Sequence, residues 1–290
     1  MILTYIFRHA NPDFLNRDLE KLTPKDIMFR KAIYHSGFKF GLLLLSTITF
    51  IGVFVPFFVD MSPYDQDISK RLLPPVWSEG GSWQYIFGTD GNGRDYLARI
   101  IYGTRISLTI GIGAATVGML IGVTLGVIAG YFGGIVDQVV SYILTCQLAL
   151  PGILFLLTII SIVGSSLTVV ILVIGVLHWT LFLVVTRAAT QRIRNLDYIT
   201  AANAIGASKT NIIFTDILPN VLNQIIVIFT LEVGVAILAE ATISFLGLGI
   251  QPPTPSWGVL IAEGKEAIFF QPWLIILPGI ALFLLVISIN

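Results

Sequence analysis

The sequence predicts an all-α membrane protein, a polytopic bundle of six transmembrane helices with one short helix on a cytoplasmic loop. Three observations carry this. Of 290 residues, 55% are hydrophobic and only 12% charged, about half the charge of an average soluble domain. A soluble chain of this length hides only about 75% of its surface, too little to cover so apolar a composition. Six runs of roughly the 20 apolar residues that span a bilayer stand out, and the charges cluster between them. The formal charge is zero, from 17 basic and 17 acidic residues, so no basic excess points to nucleic acid. One cysteine, Cys146, and three histidines, His9, His35 and His178, exclude a disulfide framework and a zinc site of ordinary spacing.

The first segment, 1 to 37, is polar. Thr23, Pro24 and Asp26 supply an N-cap, a first-turn proline and an acidic first turn, so a helix is expected to begin there. Its basic and aromatic residues fit either an interfacial helix or a solvated linker. The first span covers 38 to 59 and reads as a stable anchor, since many charges and no short basic leader precede it. A loop over 60 to 105 follows, punctuated by Pro74, Pro75, Gly80 and Gly81 and by Gly88, Gly91 and Gly93, with a short amphipathic helix expected at about 94 to 104.

The core, 106 to 290, holds the other five spans. The second, 106 to 130, carries Gly118, Gly122, Gly126 and Gly130, whose four-residue spacing lines one helix face for close backbone packing. The third, 139 to 163, has Pro151 and Gly152 at its middle, where proline removes a backbone bond and kinks the helix. A kinked pore-lining helix and ordinary kinked packing both remain open. The fourth runs from 167 to 187, the fifth from 221 to 247 and the last from 273 to 289, with a proline-rich outer loop around Trp257. The chain stops at Asn290, which is read as truncation of a C-terminal tail. With the N-terminus inside, eleven Lys and Arg lie on the inner segments and six on the outer ones, favouring cytoplasmic termini.

Ionisable groups at membrane depth cost about 2.5 to 3.5 kcal/mol on insertion scales, so each calls for a partner or a water-filled cavity. His178, Glu232 and Glu240 are such groups. The two glutamates are eight residues apart on a helix, about 12 Å in rise and facing a similar direction. A polar translocation path including Pro151 and structural hydrogen bonds within the bundle are both open.

The loop over 188 to 220 is too polar to cross the bilayer and too patterned for a linker. Thr200, Ala201, Ala202, Asn203, Ala204, Ile205, Gly206, Ala207 and Ser208 describe a slim helix that ends at glycine, followed by Leu218 and Pro219 at the start of the fifth span. This resembles the coupling loop of ABC importer permeases, matching at Ala201, Ala202, Gly206, Leu218 and Pro219 and departing at Thr200, where that motif has glutamate. Blocks at Gly88-Thr89-Asp90, Gly93-Arg94-Asp95, Tyr102 to Leu108, Ala129 to Gly134, Ser244 to Gly249, Pro252 to Pro255 and Pro272-Trp273 are similar to the C-type subunits of the dipeptide, oligopeptide and nickel permeases. Tyr142 and Thr145 depart from that pattern, standing where such subunits often carry arginine and aspartate.

The resemblance implies a type I importer half-pore in the bacterial inner membrane. It would work with a second, B-type permease, two cytoplasmic ATPases and an extracytoplasmic binding protein. Peptides are the implied cargo, with nickel or another small solute as the alternative. The sequence has no GxxxxGK[ST] phosphate loop: Gly264-Lys265 is followed by Glu266, and no glycine stands five positions before Gly264. The chain is therefore expected to be no enzyme and to hold no cofactor or metal, with ATP and magnesium on the partner ATPases. The rival from another class is an ion-coupled transporter using His178, Glu232 and Glu240 as a relay.

Overall fold

The computed structural model describes residues 34 to 59 and 61 to 290; the expected helix from Thr23 lies outside them. Among these residues no strand occurs, and the two isolated bridges, Ser82 with Tyr85 and Thr89 with Asp95, both lie in the loop after the first helix. Helix α1 spans Ser36–Phe58 and α2 spans Tyr96–Phe132. Two shorter helices, α3 (Gly134–Leu148) and α4 (Gly152–Val163), meet at 84°. Helices α5 (Leu167–Leu177) and α6 (Thr180–Arg194) meet at 41°. Next come α7 (Asp197–Ala204) and the 37-residue α8, Lys209–Phe245. A short helix α9 (Trp257–Gly264) and the 17-residue α10 (Trp273–Ile289) complete the chain.

Among the described residues three helices, α1, α2 and α8, are individually long and apolar enough to cross a membrane, and the two bent pairs raise that number to five. The breaks in the other spans start from local chemistry. The third span was expected as one kinked helix. It is instead two helices, because Pro151 supplies no N–H and sits extended, at φ −62° and ψ 108°, as the cap of α4. The fourth span breaks at His178 and Trp179, where α5 ends and α6 restarts.

The second span is corrected in the other direction. No separate helix covers 94 to 104, because nothing between Tyr96 and Phe132 breaks the backbone; Gly103 is kept for contact, its Cα so close that a Cβ would lie 2.9 Å from Trp257 Cδ1. Asp95 caps the helix, accepting from the N–H groups of Leu97 and Ala98. Burial raises its carboxyl above the usual range while those two bonds pull it down. The fifth span begins earlier than Leu218: a π turn over Ile212–Ile217 widens the helix just before Pro219, whose missing N–H leaves a gap there.

Helix α2 is the central post. It packs along α6, α8 and α5. The close α2–α6 approach is made by the glycine stripe: a Cβ on Gly122 would lie 2.3 Å from Trp179 O, on Gly126 2.9 Å from Leu183 O and on Gly130 2.7 Å from Arg187 O. On Gly118 it would lie 3.0 Å from His178 O. Two arginines counted above among the inner basic residues also belong to this packing. Arg187 forms a bidentate pair with Asp137, 2.6 Å between Nη2 and Oδ2, and Arg194 Nη1 donates to Tyr131 O at 2.8 Å.

Helix α1 is fastened to α2 by Arg105. Pro56 lies inside α1 and cannot bond the carbonyl of Gly52, four residues earlier. Arg105 Nε donates to that carbonyl at 2.8 Å and Nη2 to Val53 O, with the guanidinium over the Phe57 and Tyr102 rings at 5.1 and 5.4 Å. Replacing Arg105 by methionine strands the Gly52 carbonyl in an apolar setting, at about 1 to 3 kcal/mol. The melting temperature of the purified assembly is expected to fall for Arg105→Met and to fall less for Arg105→Lys. Equal melting of all three proteins would show that water, not Arg105, serves the Gly52 carbonyl.

Candidate functional site

Among the described residues, three places stand out for their chemistry. The first is at the two span breaks. His178 caps the end of α5, and its Nδ1 lies 2.7 Å from Glu232 Oε2 on α8. From α3, Gln147 Nε2 donates to Leu177 O at 2.8 Å, and Gln147 Oε1 accepts from Trp179 Nε1. The carbonyl that the break of the fourth span sets free is thus bonded by a side chain beside the break of the third. Facing this polar knot is a cavity of about 720 Å³, walled by α3, α4, α5, α6 and α8, with Cys146, Gln147, Ile153, His178, Trp179 and Leu238 among its lining residues. Gly152 and Leu150 line it on either side of Pro151.

Glu240 lies elsewhere. It is 1% exposed, and its Oε1 accepts from Ser244 Oγ and from Ser256 Oγ, each at 2.7 Å. Ser256 is the N-cap of α9, so Glu240 ties that short helix to α8. The structure therefore parts the two glutamates: Glu232 meets His178 behind the cavity wall, and Glu240 meets two hydroxyls at α9.

The second place is α7 with its cap. Ile199 is fully buried against Ile193, Ile212 and Ile217, while Ile205 is 85% exposed. Thr200, Ala201, Asn203, Ala204 and Ser208 are exposed, and Ala202 and Ala207 half-buried. Gly206 has φ +85°. Its N–H donates to Asn203 O, and the Ala207 N–H reaches back to Ala202 O at 3.0 Å, the paired bonds of a left-handed glycine cap. Among the described residues no atom outside its neighbours lies within 4 Å of a Cβ built on Gly206, so it is the left-handed backbone that selects glycine there.

The third place is a charge cluster that joins the loop after α1 to α9. Arg94 Nε donates to Asp90 Oδ2 at 2.6 Å and Arg94 Nη2 to Glu263 Oε1 at 3.0 Å. Arg99 Nη1 donates to the same Asp90 oxygen at 2.6 Å and to Glu263 Oε2. The side chains of Arg94, Arg99 and Asp90 are 2%, 0% and 5% exposed. Sequence reasoning saw Asp90 and Arg94 only as part of a motif and missed Arg99 and Glu263, which lie 164 residues apart. The i, i+4 spacing of Asp90 and Arg94 was the one local signal for the cluster.

Residues 122–290 match the family described as the binding-protein-dependent transport system inner membrane component. The chain is 35% identical over 268 residues to the di/tripeptide transport system permease protein DppC of Pseudomonas aeruginosa, covering 92% of this chain and 88% of that one. It is 37% identical over 254 residues to the dipeptide transport system permease protein DppC of Haemophilus influenzae, covering 88% and 86%. Among solved structures, an inward-facing MetNI methionine ABC transporter aligns with a TM-score of 0.54 at 19% identity, over 67% of this chain and 92% of that chain. At that identity the likeness is one of fold.

Proposed function

The chain belongs to the family of binding-protein-dependent transport system inner membrane components, and from that premise we propose that it forms half of the pore of an ATP-driven importer of di- or oligopeptides. The peptide reading rests on relatives named for dipeptide and di/tripeptide transport. A second permease completes the pore, an extracytoplasmic binding protein delivers the cargo, and two ATPases, which bind the ATP and magnesium, drive it. Both termini lie on the ATPase side, as the Lys and Arg distribution favours.

One observation carries the mechanism. Helix α7 is held from below by Ile199 and offers its other face outward, ending in the exposed Ile205 and the Gly206 cap. Such a helix fits a groove on an ATPase. Its rigid neighbours are α6, locked to α2 by the glycine stripe, and α8, so a push on α7 is delivered to the helices that wall the cavity. Coupling of this kind needs an element with two arrangements that both sites bias; the bends between α3 and α4 and between α5 and α6 are where these spans can change angle.

Gly206→Val tests this. A β-branched residue disfavours φ +85° by about 1 to 2 kcal/mol, so the cap opens and Ile205 and Ala207 leave their places, while the apolar spans are untouched. ATP-dependent peptide uptake into proteoliposomes is expected to fall at least tenfold, with the chain still inserted and the ATPases still hydrolysing ATP. Normal uptake by the assembled Gly206→Val complex would refute the coupling role. Uptake that survives without ATP would refute the ATP-driven reading as a whole.

A further inference from the structure

We propose that the cavity at the two span breaks is a peptide-binding chamber in which His178, held in place by Glu232, makes the polar contact with the passing peptide. This rests on the importer reading above and names the part of this chain that touches its cargo.

The argument begins with backbone. Between Leu148 and Gly152, and again at His178 and Trp179, the helical ladder is interrupted. Non-helical backbone at membrane depth is tolerated where it lines a cavity or is buried in protein. Both interruptions border the same cavity of about 720 Å³, within the size range of small-molecule sites. Its wall is mostly apolar, with His178, Gln147, Trp179, Thr180 and Thr242 supplying the polar groups.

These polar groups are not equivalent. Both ends of the Gln147 amide are engaged, by Leu177 O and Trp179 Nε1. His178 has one nitrogen engaged: Nδ1 faces Glu232 Oε2 at 2.7 Å, and no group among the described residues bonds Nε2. A carboxylate on one imidazole nitrogen fixes the ring's orientation and leaves the other nitrogen for a ligand. His178 lines the cavity and Glu232 does not, so Glu232 acts through the ring as a positioning residue. An apolar wall with one oriented hydrogen-bonding group suits a peptide, whose side chains need burial and whose backbone and termini need a partner. Lipid uses the wall but leaves the imidazole idle, and an apolar face of the second permease would do the same.

The chain carries its own probe. Cys146 is its single cysteine; it is exposed and lines the cavity beside Gln147. In the assembled complex, with partner cysteines removed, a charged, membrane-impermeant thiol reagent is expected to label Cys146, and saturating dileucine to slow that labelling several-fold. Labelling only by lipid-soluble maleimide, or labelling that dileucine leaves unchanged, would mean that lipid or the second permease covers this wall, and the chamber falls.

Transport variants give the second arm. His178→Ala is expected to raise KM for dileucine uptake about tenfold, the scale of one lost hydrogen bond to a charged group, with ATP-driven turnover at saturating peptide less affected. Glu232→Ala should match it, Glu232→Gln, which keeps an acceptor for the ring, should recover most of the loss, and the His178→Ala/Glu232→Ala pair should be no worse than either alone. If KM stays at the wild-type value while the complex melts earlier, the pair only holds α5 to α8 and the proposal is overturned while the importer reading stands. A wild-type complex that takes up no dipeptide overturns both.

Discussion

Replacing Asp90 by alanine is expected to destabilise the assembled permease by about 3 to 5 kcal/mol, the usual cost of removing one partner from a buried ionic cluster. Asp90 Oδ2 accepts from Arg94 Nε and Arg99 Nη1, both at 2.6 Å, and Asp90 Oδ1 from the N–H groups of Asn92 and Arg94. Its loss leaves two buried guanidinium groups sharing Glu263 and frees two N–H groups of the loop. The loop after α1 then loses its hold on α9, and through Ser256 and Glu240 the disturbance reaches α8. Thermal melting of the purified complex measures it. Asp90→Asn, which keeps acceptor oxygen without charge, should cost less. Arg99→Met added to Asp90→Ala should restore part of the loss by removing one of the stranded charges, and a pair that is simply additive would show the two side chains to be independent.

The parts of this fold that the sequence makes legible are those written in short-range pattern. Apolar runs mark the spans because lipid demands them over about 20 residues. The four-residue glycine repeat marks the α2 face, and the alanine run closed by Gly206 marks α7. What escapes is whatever depends on long-range meeting. Proline at 151 announces a disturbance, yet the angle of 84° is set by what α3 and α4 pack against. The short helix expected at about 94 to 104 is not separate from the second span, and Gly103 within it serves contact with Trp257. Charge in this composition reads as solvent-facing, so Arg99 and Glu263 gave no sign of meeting. His178 and Glu232 were each visible as ionisable groups at depth; their pairing across 54 residues was not, although each needed a partner. Pro56 and Arg105 form a third such case, a free carbonyl and its donor on separate helices.

Gly122→Leu is expected to have the largest effect of any single change on the glycine stripe. A Cβ at Gly122 would sit 2.3 Å from Trp179 O, 2.6 Å from Phe182 Cβ and 3.0 Å from Leu183 N. Two of these are backbone atoms, so no rotamer change relieves the clash, and α6 must move away from α2. Overpacking of a tight core costs about 1 to 3 kcal/mol, and here the rest of the leucine side chain adds to the upper end. The displacement is not local in consequence. One end of α6 adjoins Trp179, which holds Gln147, and the other passes through Ile193 to Ile199 of α7, so the chamber and the coupling helix should both be disturbed. Gly122→Leu is expected to abolish peptide uptake and lower the yield of assembled complex. Alanine scanning should rank the stripe by approach distance, with Gly122 worst and Gly118, at 3.0 Å from His178 O, mildest. Gly279→Ala is the control. Among the described residues no atom outside its neighbours lies within 4 Å of a Cβ there, and alanine is favoured over glycine in a helix by about 1 kcal/mol, so it should be neutral or slightly stabilising. Equal losses at Gly122 and Gly279 would mean that these glycines supply flexibility to the spans, and that α2 and α6 are not held together by backbone contact.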